Sequence, residues 1–379
     1  MKIALDSWVL SSRFRNHGIY VYTNSLFREL ARIAEQQDVQ FCLFTSRSNH
    51  NDASQIQIET NFQHRQSRLL SHKHFWRMAG ACMAARRANA DLLFAPSATV
   101  VPKGVPTVCT IHDVTPVLEP SSGVVVDVAQ RFFLRSAATA SRAIITVSQS
   151  SKDDLVRFLG IAESKIAVLY PGYDKTAFNA QAANKAPLHS LLMRLQIARP
   201  YILHHGVIQP RKNLTRLIEA YRLLIAYNPT LELDLVLAGP LGWRFHEELE
   251  AVARPNAPGR VVLTGALPQH ELALLVKGAT LAVIPSLYEG FCLPLVEAMA
   301  CGTATVASNT SCLPEVSGHN LIYFNPLSVD DIAASMRGAI ENSQLRDEIT
   351  RRGQQYVTRY DWQHCANETL RLLKKAAAA

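Results

Sequence analysis

The feature that most constrains this chain is a repeated alternation of short apolar runs with longer helical patterns. We predict strands in the first half at KIALDSW, VQFCLF, DLLFAPS, PTVCTIHD, RAIITVSQS and KIAVLYPG. In the second half we predict them at PYILHHGV, LDLVLAGP, RVVLTGAL, ATLAVIPS, TATVASN and NLIYFNP. Most of these runs are β-branched without strict polar alternation, which is typical of strands covered on both faces. The alternation therefore predicts an α/β fold of doubly wound parallel sheets.

The length of 379 residues is too great for one ordinary hydrophobic core. A break near residues 176–200, whose first half is rich in Ala, Asn and Gln, separates the two sets of strands. We predict a first Rossmann-like domain at 1–178, a linker at 179–198 and a second Rossmann-like domain at 199–358. Ligands of such sheets bind outside the carboxyl ends of the strands, so two domains facing each other would form an interdomain cleft.

Composition and cysteine use indicate a soluble globular protein of a reducing compartment. The chain is 48% hydrophobic and 18% charged, and no stretch approaches the roughly 20 apolar residues of a membrane span. Asp6 interrupts the apolar start, which therefore favours a first strand and not a signal peptide. Seven cysteines without a C-x-x-C pair argue against a disulfide framework, and we expect a cytoplasmic protein.

The net charge of +8 is most evident in residues 62–90, which contain six cations, three histidines and no acid. The cations are Arg65, Arg68, Lys73, Arg77, Arg86 and Arg87, and they are interleaved with Phe75, Trp76 and Met78. One interpretation is a surface that attracts an anionic membrane or a phosphate-bearing acceptor. The other is a solvated helix face whose aromatic side chains pack inward. We predict no nucleic-acid partner, because no known binding module accompanies the charge.

Cations and a histidine follow two of the predicted strands. Gly206, Arg211 and Lys212 lie between a strand and an amphipathic helix, where two cations suit a phosphate group. An exposed turn is the alternative, although cations are unfavourable near a helix amino terminus. His112, at the end of another strand, can hydrogen-bond a substrate or be a structural residue. Gly18 lets the backbone approach a ligand, but neither a dinucleotide fingerprint nor a P-loop is present.

Two glutamates stand eight positions apart in SLYEGFCLPLVEAMACGT. The pattern predicts a helix with Pro294 at its first position, which places Glu289 in the preceding loop and Glu297 in the first turn. Ser286 and Glu289 can form a capping box while Glu297 complements the helix dipole. A carboxylate pair of a glycoside hydrolase is a second interpretation. In a third, one carboxylate accepts hydrogen bonds from a sugar, the other accepts them from a ribose, and the turn binds phosphates.

The chain resembles the retaining, nucleotide-sugar-dependent glycosyltransferases with the GT-B fold, family 4 type, such as bacterial mannosyl-, glucosyl- and rhamnosyltransferases. PSLYEGFCLPLVEAMACGTATVASNTSCLPEV resembles the E-x7-E signature of that family, and GVIQPRKNL resembles its pyrophosphate-binding segment. IHDVTPVLEP is similar to the catalytic-histidine segment, and TVSQSSKDDL followed by VLYPGYD is similar to the end of the first domain. The likeness covers nearly the whole chain.

The resemblance implies a role for each candidate residue. Arg211 and Lys212 would hold the donor diphosphate and stabilise its growing charge, Glu289 would contact the donor sugar, and Glu297 would contact the ribose. The remaining implied donor-site residues are His112 at the sugar or reacting centre, Gly18 and Gly206 near phosphate, and the backbone of Phe291, Cys292 and Leu293. A helix within 359–379 would return to pack on the first domain.

The resemblance further implies transfer of a hexose, with mannose favoured, in polysaccharide or lipopolysaccharide assembly. GDP-mannose is the favoured donor and a UDP-sugar the next, and the acceptor is a glycan or a polyprenyl- or other lipid-linked acceptor. The resemblance implies a retaining transfer that needs neither a metal nor a further cofactor. If residues 62–90 make a peripheral contact, the protein would act at the inner face of the cell membrane. A catalytically silent GT-B scaffold that binds a partner enzyme and a sugar-nucleotide epimerase are the alternatives.

The chain departs from the family pattern at five positions. Tyr20 and Cys292 stand where glycine is frequent, and Ala304 stands where proline is frequent. His204 and His205 precede Gly206 where aromatic or aliphatic residues are commoner.

Overall fold

The structure is a computed structural model that describes residues 1–10, 17–34, 37–46, 62–67, 80–101, 104–118, 124–181, 185–254 and 258–378. The chain divides into two compact units. Unit 1 comprises Met1–Gly172 and Tyr360–Ala379, and unit 2 comprises Tyr173–Arg359.

Unit 1 contains a sheet of seven parallel strands in the order β3-β2-β1-β4-β5-β6-β7. The strands are β1 (Lys2–Asp6), β2 (Gln40–Ser46), β3 (Phe62–Ser67), β4 (Leu92–Ala95), β5 (Thr107–Thr110), β6 (Ala143–Thr146) and β7 (Ile166–Val168). Five of them lie within runs predicted to be strands, and β2 overlaps the predicted run VQFCLF and extends two residues beyond it. β3 has the sequence FQHRQS, with one apolar residue and without the pattern of a covered strand, and it was therefore not predicted.

Helices of unit 1 connect these strands. They are α1 (Gly18–Ala34), α2 (Ala81–Arg87), α3 (Thr115–Leu118), α4 (Val124–Ala140) and α5 (Gln149–Leu159). On α1, buried Leu26, Phe27 and Leu30 form the helically spaced apolar stripe that packs inward. α5 begins where the Ser148 hydroxyl accepts a hydrogen bond from the Ser151 amide at 3.0 Å, and it ends at Gly160 with a left-handed φ of 64°.

Unit 2 contains a sheet of six parallel strands in the order β10-β9-β8-β11-β12-β13. The strands are β8 (Tyr201–His205), β9 (Asp234–Ala238), β10 (Arg260–Gly265), β11 (Leu281–Ile284), β12 (Thr305–Ser308) and β13 (Ile322–Phe324). Every residue of β8, β9, β11 and β12 is buried, as their continuous apolar runs predicted. The strand order reverses between β8 and β11, which is the switch point where ligands of doubly wound sheets bind.

The helices of unit 2 cover its sheet. They are α6 (Lys185–Arg194), α7 (Leu214–Tyr227), α8 (His246–Ala253), α9 (Gln269–Gly278), α10 (Leu293–Ala300), α11 (Leu313–Ser317), α12 (Val329–Glu341) and α13 (Ser343–Val357). Buried side chains of α7 and α12, among them Leu217, Tyr221 and Met336, pack with those of the strands in one core. The predicted fold class, two Rossmann-like parallel-sheet domains, is confirmed.

The segment predicted as a linker, 179–198, differs from that expectation. Residues Lys185–Arg194 form α6, which packs against α9 inside unit 2. Leu191 and Ile197 are buried, and the side chain of Leu188 lies against Gly278. The polar front of the segment suggested a free connection, but these spaced apolar residues anchor its second half to unit 2.

The last helix, α14 (Trp362–Ala378), belongs to unit 1 and packs against α1. Its buried residues include Cys365, Leu370 and Leu373. The Arg142 guanidinium donates a hydrogen bond to the Ala376 carbonyl at 2.7 Å. A Cβ atom on Gly172 would lie 2.2 Å from the Trp362 amide nitrogen, so only glycine allows this approach. The end of the chain is therefore an integral part of unit 1.

Two further findings concern the cysteines and possible membrane-spanning helices. All seven cysteines are buried, and no disulfide joins them. None of the helices in the described part of the chain has the length and apolar character needed to cross a bilayer.

Candidate functional site

The loops that follow β8 and β11 bring most of the predicted site residues together. After β8, Gly206 has a φ of 138°, and Pro210–Lys212 forms a 3-10 turn just before α7. The Leu287 amide, in the loop after β11, donates a hydrogen bond to the Arg211 carbonyl at 2.8 Å. The two loops are thus joined at the carboxyl ends of the two central strands, at the switch point of the sheet.

A group of four side chains, which we call the Glu289 cluster, occupies these loops: Arg211, Lys212, Ser286 and Glu289. One oxygen of Glu289 accepts a hydrogen bond from Arg211 Nη1 at 2.6 Å. The other accepts one from Lys212 Nζ and one from the Ser286 hydroxyl, the latter at 2.8 Å. The side chains of Glu289 and Lys212 are only 5% and 6% exposed, whereas that of Arg211 is 21% exposed. Glu289 therefore neutralises one of two positive charges, and a ligand can still reach Arg211.

Electrostatics hold the Glu289 carboxylate in its charged form. Burial of the carboxyl raises its pKa, but the charges of Arg211 and Lys212 and their hydrogen bonds together outweigh burial. The resulting pKa of Glu289 is about 2. Ionised Glu289 fixes both cations in one geometry, which is the preorganisation that a phosphate-binding site requires.

We expect the contribution of Glu289 to stability to depend on pH. Its folded-state pKa of about 2 lies below the ordinary value of 4.5, so the stabilisation is complete above about pH 4.5 and is lost as the pH falls towards 2. Urea unfolding of the wild type and of Glu289→Gln at pH 6.5, 4.5 and 3.5 measures this effect. The difference in unfolding free energy should narrow only between pH 4.5 and 3.5. A constant difference across that interval would contradict the role of the ionised carboxylate.

Gly206, Lys212 and the start of α10 lie next to one another. A Cβ atom on Gly206 would be 3.8 Å from Lys212 Nζ and 3.8 Å from Pro294 Cγ. The residue before α10, Cys292, has a left-handed φ of 70° and is 6% exposed, and no side chain caps the helix there. The amino terminus of α10, where the first amide groups of a helix commonly lack intrahelical acceptors, therefore lies beside Gly206 and Lys212.

Glu289 lies in the loop before α10, where the pattern placed it, whereas Glu297 does not lie in the predicted helical turn. α10 begins at Leu293, so Glu297 lies in the second helical turn and not in the first, and no acid lies in the first turn. Ser286 does bond Glu289, but α10 begins only at Leu293 with Cys292 before it, so the two residues cap no helix and the capping-box interpretation is wrong. The Glu297 carboxylate instead accepts a hydrogen bond from His205 Nε2 at 3.0 Å. The two glutamates thus have separate partners, which argues against one acid–base pair.

Asn213 holds the loops around the site through its side-chain hydrogen bonds, and it is not among the predicted site residues. Its backbone has a left-handed φ of 58°. Its side-chain nitrogen donates to the carbonyls of Pro285, at 3.1 Å, and Pro326, at 2.7 Å, and its oxygen accepts from Arg216 at 2.9 Å. The signal was present in the sequence, since asparagine tolerates this backbone conformation and directly precedes a helix.

Replacing Asn213 by aspartate is expected to destabilise unit 2 by about 2–4 kcal/mol, because a carboxylate oxygen would face two carbonyl oxygens in a buried place. Urea unfolding monitored by circular dichroism measures the change. Asn228→Asp is the control: Asn228 is half-buried and uses its oxygen to accept from Thr230, a role that aspartate keeps. Equal stability of the two variants would disprove the supporting role of Asn213.

His112 and Gly18 lie in unit 1. His112 follows β5, its Nε2 is 2.9 Å from the Pro96 carbonyl oxygen, and its ring packs edge-on against Tyr22 at 4.7 Å. Burial lowers its pKa, an effect that the Pro96 carbonyl and Asp113 partly oppose. Gly18 begins α1, and a Cβ atom there would meet nothing within 4 Å. The structure gives Gly18 no steric need for glycine, and the roles implied for both residues stay predictions.

Residues 68–79 of the basic segment at 62–90 lie outside the described residues. For residues 62–67 the structure gives the strand β3, and Arg86 and Arg87 lie in the last turn of α2. The predicted contact with an anionic membrane therefore stays a prediction. Among the described residues, no three His, Cys, Asp or Glu side chains form a group that could hold a metal ion.

Two family models match the chain, one in each half. The model described as "Glycosyltransferase Family 4" matches residues 18–177, and "Glycosyl transferases group 1" matches residues 195–356. Together with the fold and the Glu289 cluster, these matches assign the chain to the GT-B glycosyltransferases of the family 4 type.

Curated relatives include two mannosyltransferases of Escherichia coli. O-antigen chain mannosyltransferase B is 31% identical over 244 residues, which is 64% of this chain and 62% of that protein. Serotype-specific mannosyltransferase WbdA is 30% identical over 269 residues, 69% of this chain but 32% of that protein. The matched stretch thus spans less than two thirds of each relative.

A solved structure of Anabaena Alr3699/HepE in complex with UDP and glucose has the same fold. It superposes with a TM-score of 0.74, covers 99% of this chain and 100% of its own, and is 19% identical in sequence.

Proposed function

We propose that the protein transfers a hexose from a nucleoside-diphosphate sugar to a glycan or lipid-linked acceptor, with retention of configuration and without a metal ion. The observation that carries the proposal is the Glu289 cluster, in which two cations share one buried carboxylate beside Gly206, the glycine that follows β8. The O-antigen mannosyltransferases among the relatives support mannose as the sugar and polysaccharide assembly as the setting. GDP-mannose is the proposed donor, with a UDP-sugar as the next candidate.

In this proposal the diphosphate of the donor binds Arg211 and Lys212. The guanidinium of Arg211 is the more exposed of the two and can bind a phosphate through two N–H groups. Gly206 and the backbone of Phe291, Cys292 and Leu293, at the start of α10, would approach the phosphates and the sugar. Glu289 orients both cations and contacts the hydroxyls of the donor sugar. Glu297 binds the ribose.

The reaction breaks the bond between C1 of the sugar and the phosphate oxygen, and the electron pair leaves with the nucleoside diphosphate. The acceptor hydroxyl forms the new bond to C1 on the same face, and its proton passes to a phosphate oxygen of the leaving group. Negative charge grows on that leaving group as the old bond breaks. Arg211 and Lys212 therefore stabilise the transition state more than the bound donor, which is what raises the rate.

A thermal-shift screen with GDP-, UDP- and dTDP-sugars at about 1 mM, followed by a transfer assay, tests the proposal. Ligand binding to the folded state raises the unfolding temperature, so GDP-mannose should give a rise of several degrees and UDP-sugars a smaller one. Lys212→Ala should lose the shift and at least about tenfold of the transfer rate, since one charged phosphate contact is removed. Arg352→Ala, which removes a half-exposed cation paired with Glu348, is the control and should change neither.

Absence of a shift with every nucleotide sugar would overturn the proposal and favour a catalytically silent scaffold. A shift without transfer to any glycan or lipid-linked acceptor, but with interconversion of the sugar, would favour an epimerase. Wild-type transfer by Lys212→Ala would show that the site is elsewhere. The peripheral membrane contact proposed for residues 62–90 requires vesicle binding as a separate measurement.

A further inference from the structure

His205, the last residue of β8, forms a hydrogen bond with Glu297. The aliphatic residues that are among the commoner ones at this position in the family could not form this bond. His205 Nε2 and Glu297 Oε2 are 3.0 Å apart, and the side chains are 2% and 15% exposed, respectively. Side chains of a strand alternate between its faces, so His204 projects to the other side, where its Nδ1 lies 3.0 Å from the Val283 carbonyl oxygen. The two histidines that precede Gly206 therefore have different hydrogen-bond partners, and His205 is the one that bonds Glu297.

The direction of the hydrogen bond follows from its acceptor. A carboxylate oxygen can only accept, so His205 Nε2 carries the hydrogen and donates it. His205 Nδ1 is buried and has no hydrogen-bond partner among the residues that the structure describes. A second hydrogen at Nδ1 would be a buried donor with nothing to bind, so the environment suits the tautomer with its hydrogen on Nε2. The imidazole is thus a fixed donor towards Glu297.

A glutamate in the second turn of a helix has several rotamers, and ordering it when a ligand binds costs free energy. The bond from His205 occupies one carboxylate oxygen and selects one rotamer in advance. The partial exposure of Glu297 leaves room for a ligand hydroxyl at the carboxylate, whereas His205 itself is closed to solvent. His205 is therefore placed to act on a ligand only through Glu297.

We propose that His205 is a positioning residue that orients the Glu297 carboxylate towards the ribose hydroxyls of the donor nucleotide. This inference rests on the proposed function, in which Glu297 binds the ribose. The same contact is made in the bound donor and in the transition state, so it contributes uniform binding. Loss of His205 should accordingly raise the KM for the donor and leave kcat nearly unchanged.

The test compares three substitutions at one position. Glutamine places its amide nitrogen near the position of histidine Nε2, whereas asparagine reproduces only Nδ1 and is too short to reach Glu297. We expect His205→Asn and His205→Phe to raise the donor KM about tenfold, the factor that one hydrogen bond to a charged group supplies. His205→Gln should stay within about threefold of the wild type. Thermal unfolding identifies any variant that is not folded, and the Gln–Asn pair decides the outcome if the Phe variant is unfolded.

A binding measurement separates ribose recognition from other effects. Isothermal titration compares GDP, or UDP if that is the base bound, with its 2′,3′-dideoxy analogue. The wild type should prefer the ribonucleotide by about tenfold or more, and His205→Asn should lose most of this preference. In a Glu297→Ala background, His205→Asn should have no further effect, because a residue that acts through Glu297 has nothing left to position.

The possible outcomes are distinguishable. If the wild type binds neither nucleotide and transfers no sugar, the proposed function fails. If it binds and transfers but His205→Asn keeps the wild-type KM and ribose preference, the positioning role of His205 is refuted while the proposed function stands. Additive effects of His205→Asn and Glu297→Ala would likewise refute it.

Discussion

Replacing Glu289 by glutamine is expected to reduce sugar transfer at least about a hundredfold and to lower the unfolding free energy by about 3–5 kcal/mol. Glutamine keeps the shape of the side chain but removes the charge that Arg211 and Lys212 share. Lys212 is buried, so its ammonium group would lose its counter-ion without gaining water. An unpaired buried cation either moves or loses its proton, and in both cases the phosphate contact is disturbed.

Initial-rate transfer assays and urea unfolding measure the two effects. Glu348→Gln is the matched control, because Glu348 also pairs with an arginine, Arg352, but is 43% exposed at its side chain. Exposed ion pairs one helical turn apart contribute only about 0.5 kcal/mol or less, so this variant should retain stability and activity. If Glu289→Gln behaved like Glu348→Gln, the Glu289 cluster would not be the catalytic centre.

Replacing Gly239 by alanine is expected to destabilise unit 2 by more than about 3 kcal/mol and to weaken donor binding. Gly239 follows β9 with a φ of 154°, and an added Cβ atom would lie 1.9 Å from the Gly206 carbonyl oxygen and 2.7 Å from its carbon. Those atoms are backbone and cannot rotate away. The segment after β8 would have to shift, and with it the position of Gly206 beside Lys212.

Gly265→Ala provides the comparison at the same edge of the sheet. Gly265 ends β10 with a φ of 68°, and a Cβ atom there would meet nothing within 4 Å. Alanine at this position should cost only the left-handed backbone penalty of about 1–2 kcal/mol, with donor affinity unchanged. Urea unfolding and thermal shifts with GDP-mannose measure both variants. Equal losses for Gly239→Ala and Gly265→Ala would contradict the close packing of the loops after β8 and β9.

Sequence patterns predict the strands well because burial on both faces leaves a strong apolar signal. Each of the twelve predicted runs contains or overlaps a strand of the structure, and the strand that was not predicted, β3, has a polar sequence. Residues 185–194 of the predicted linker form α6 in unit 2, and local composition does not reveal that Leu188 and Leu191 pack against a distant surface. Whether a segment forms a helix or a strand depends mainly on its local sequence, whereas the surface it packs against depends on the whole unit.

The site was predictable as a set of residues but not as an arrangement. Arg211 and Lys212 stand against the helix dipole, which indicated a negative partner. That predicted partner was a phosphate. The carboxylate that bonds both cations, Glu289, lies more than seventy residues away along the chain, and the adjacency of β8 and β11 brings it close. The bond between His205 and Glu297 depends on the exact turn of α10 in which Glu297 lies, and helix boundaries are the least predictable part of a helical pattern.

The return of α14 to unit 1 has a consequence for protein synthesis. Residues 1–172 emerge from the ribosome first, yet Tyr22 of α1 cannot make its edge contact with Trp362 until α14 has been synthesised. Residues 173–359 are complete earlier and contain no part of unit 1. Domains usually fold in the order of their translation, from the amino terminus onward. In this chain the second unit is the first to have all of its sequence, and unit 1 cannot pack α1 against α14 until residues 360–378 have been synthesised.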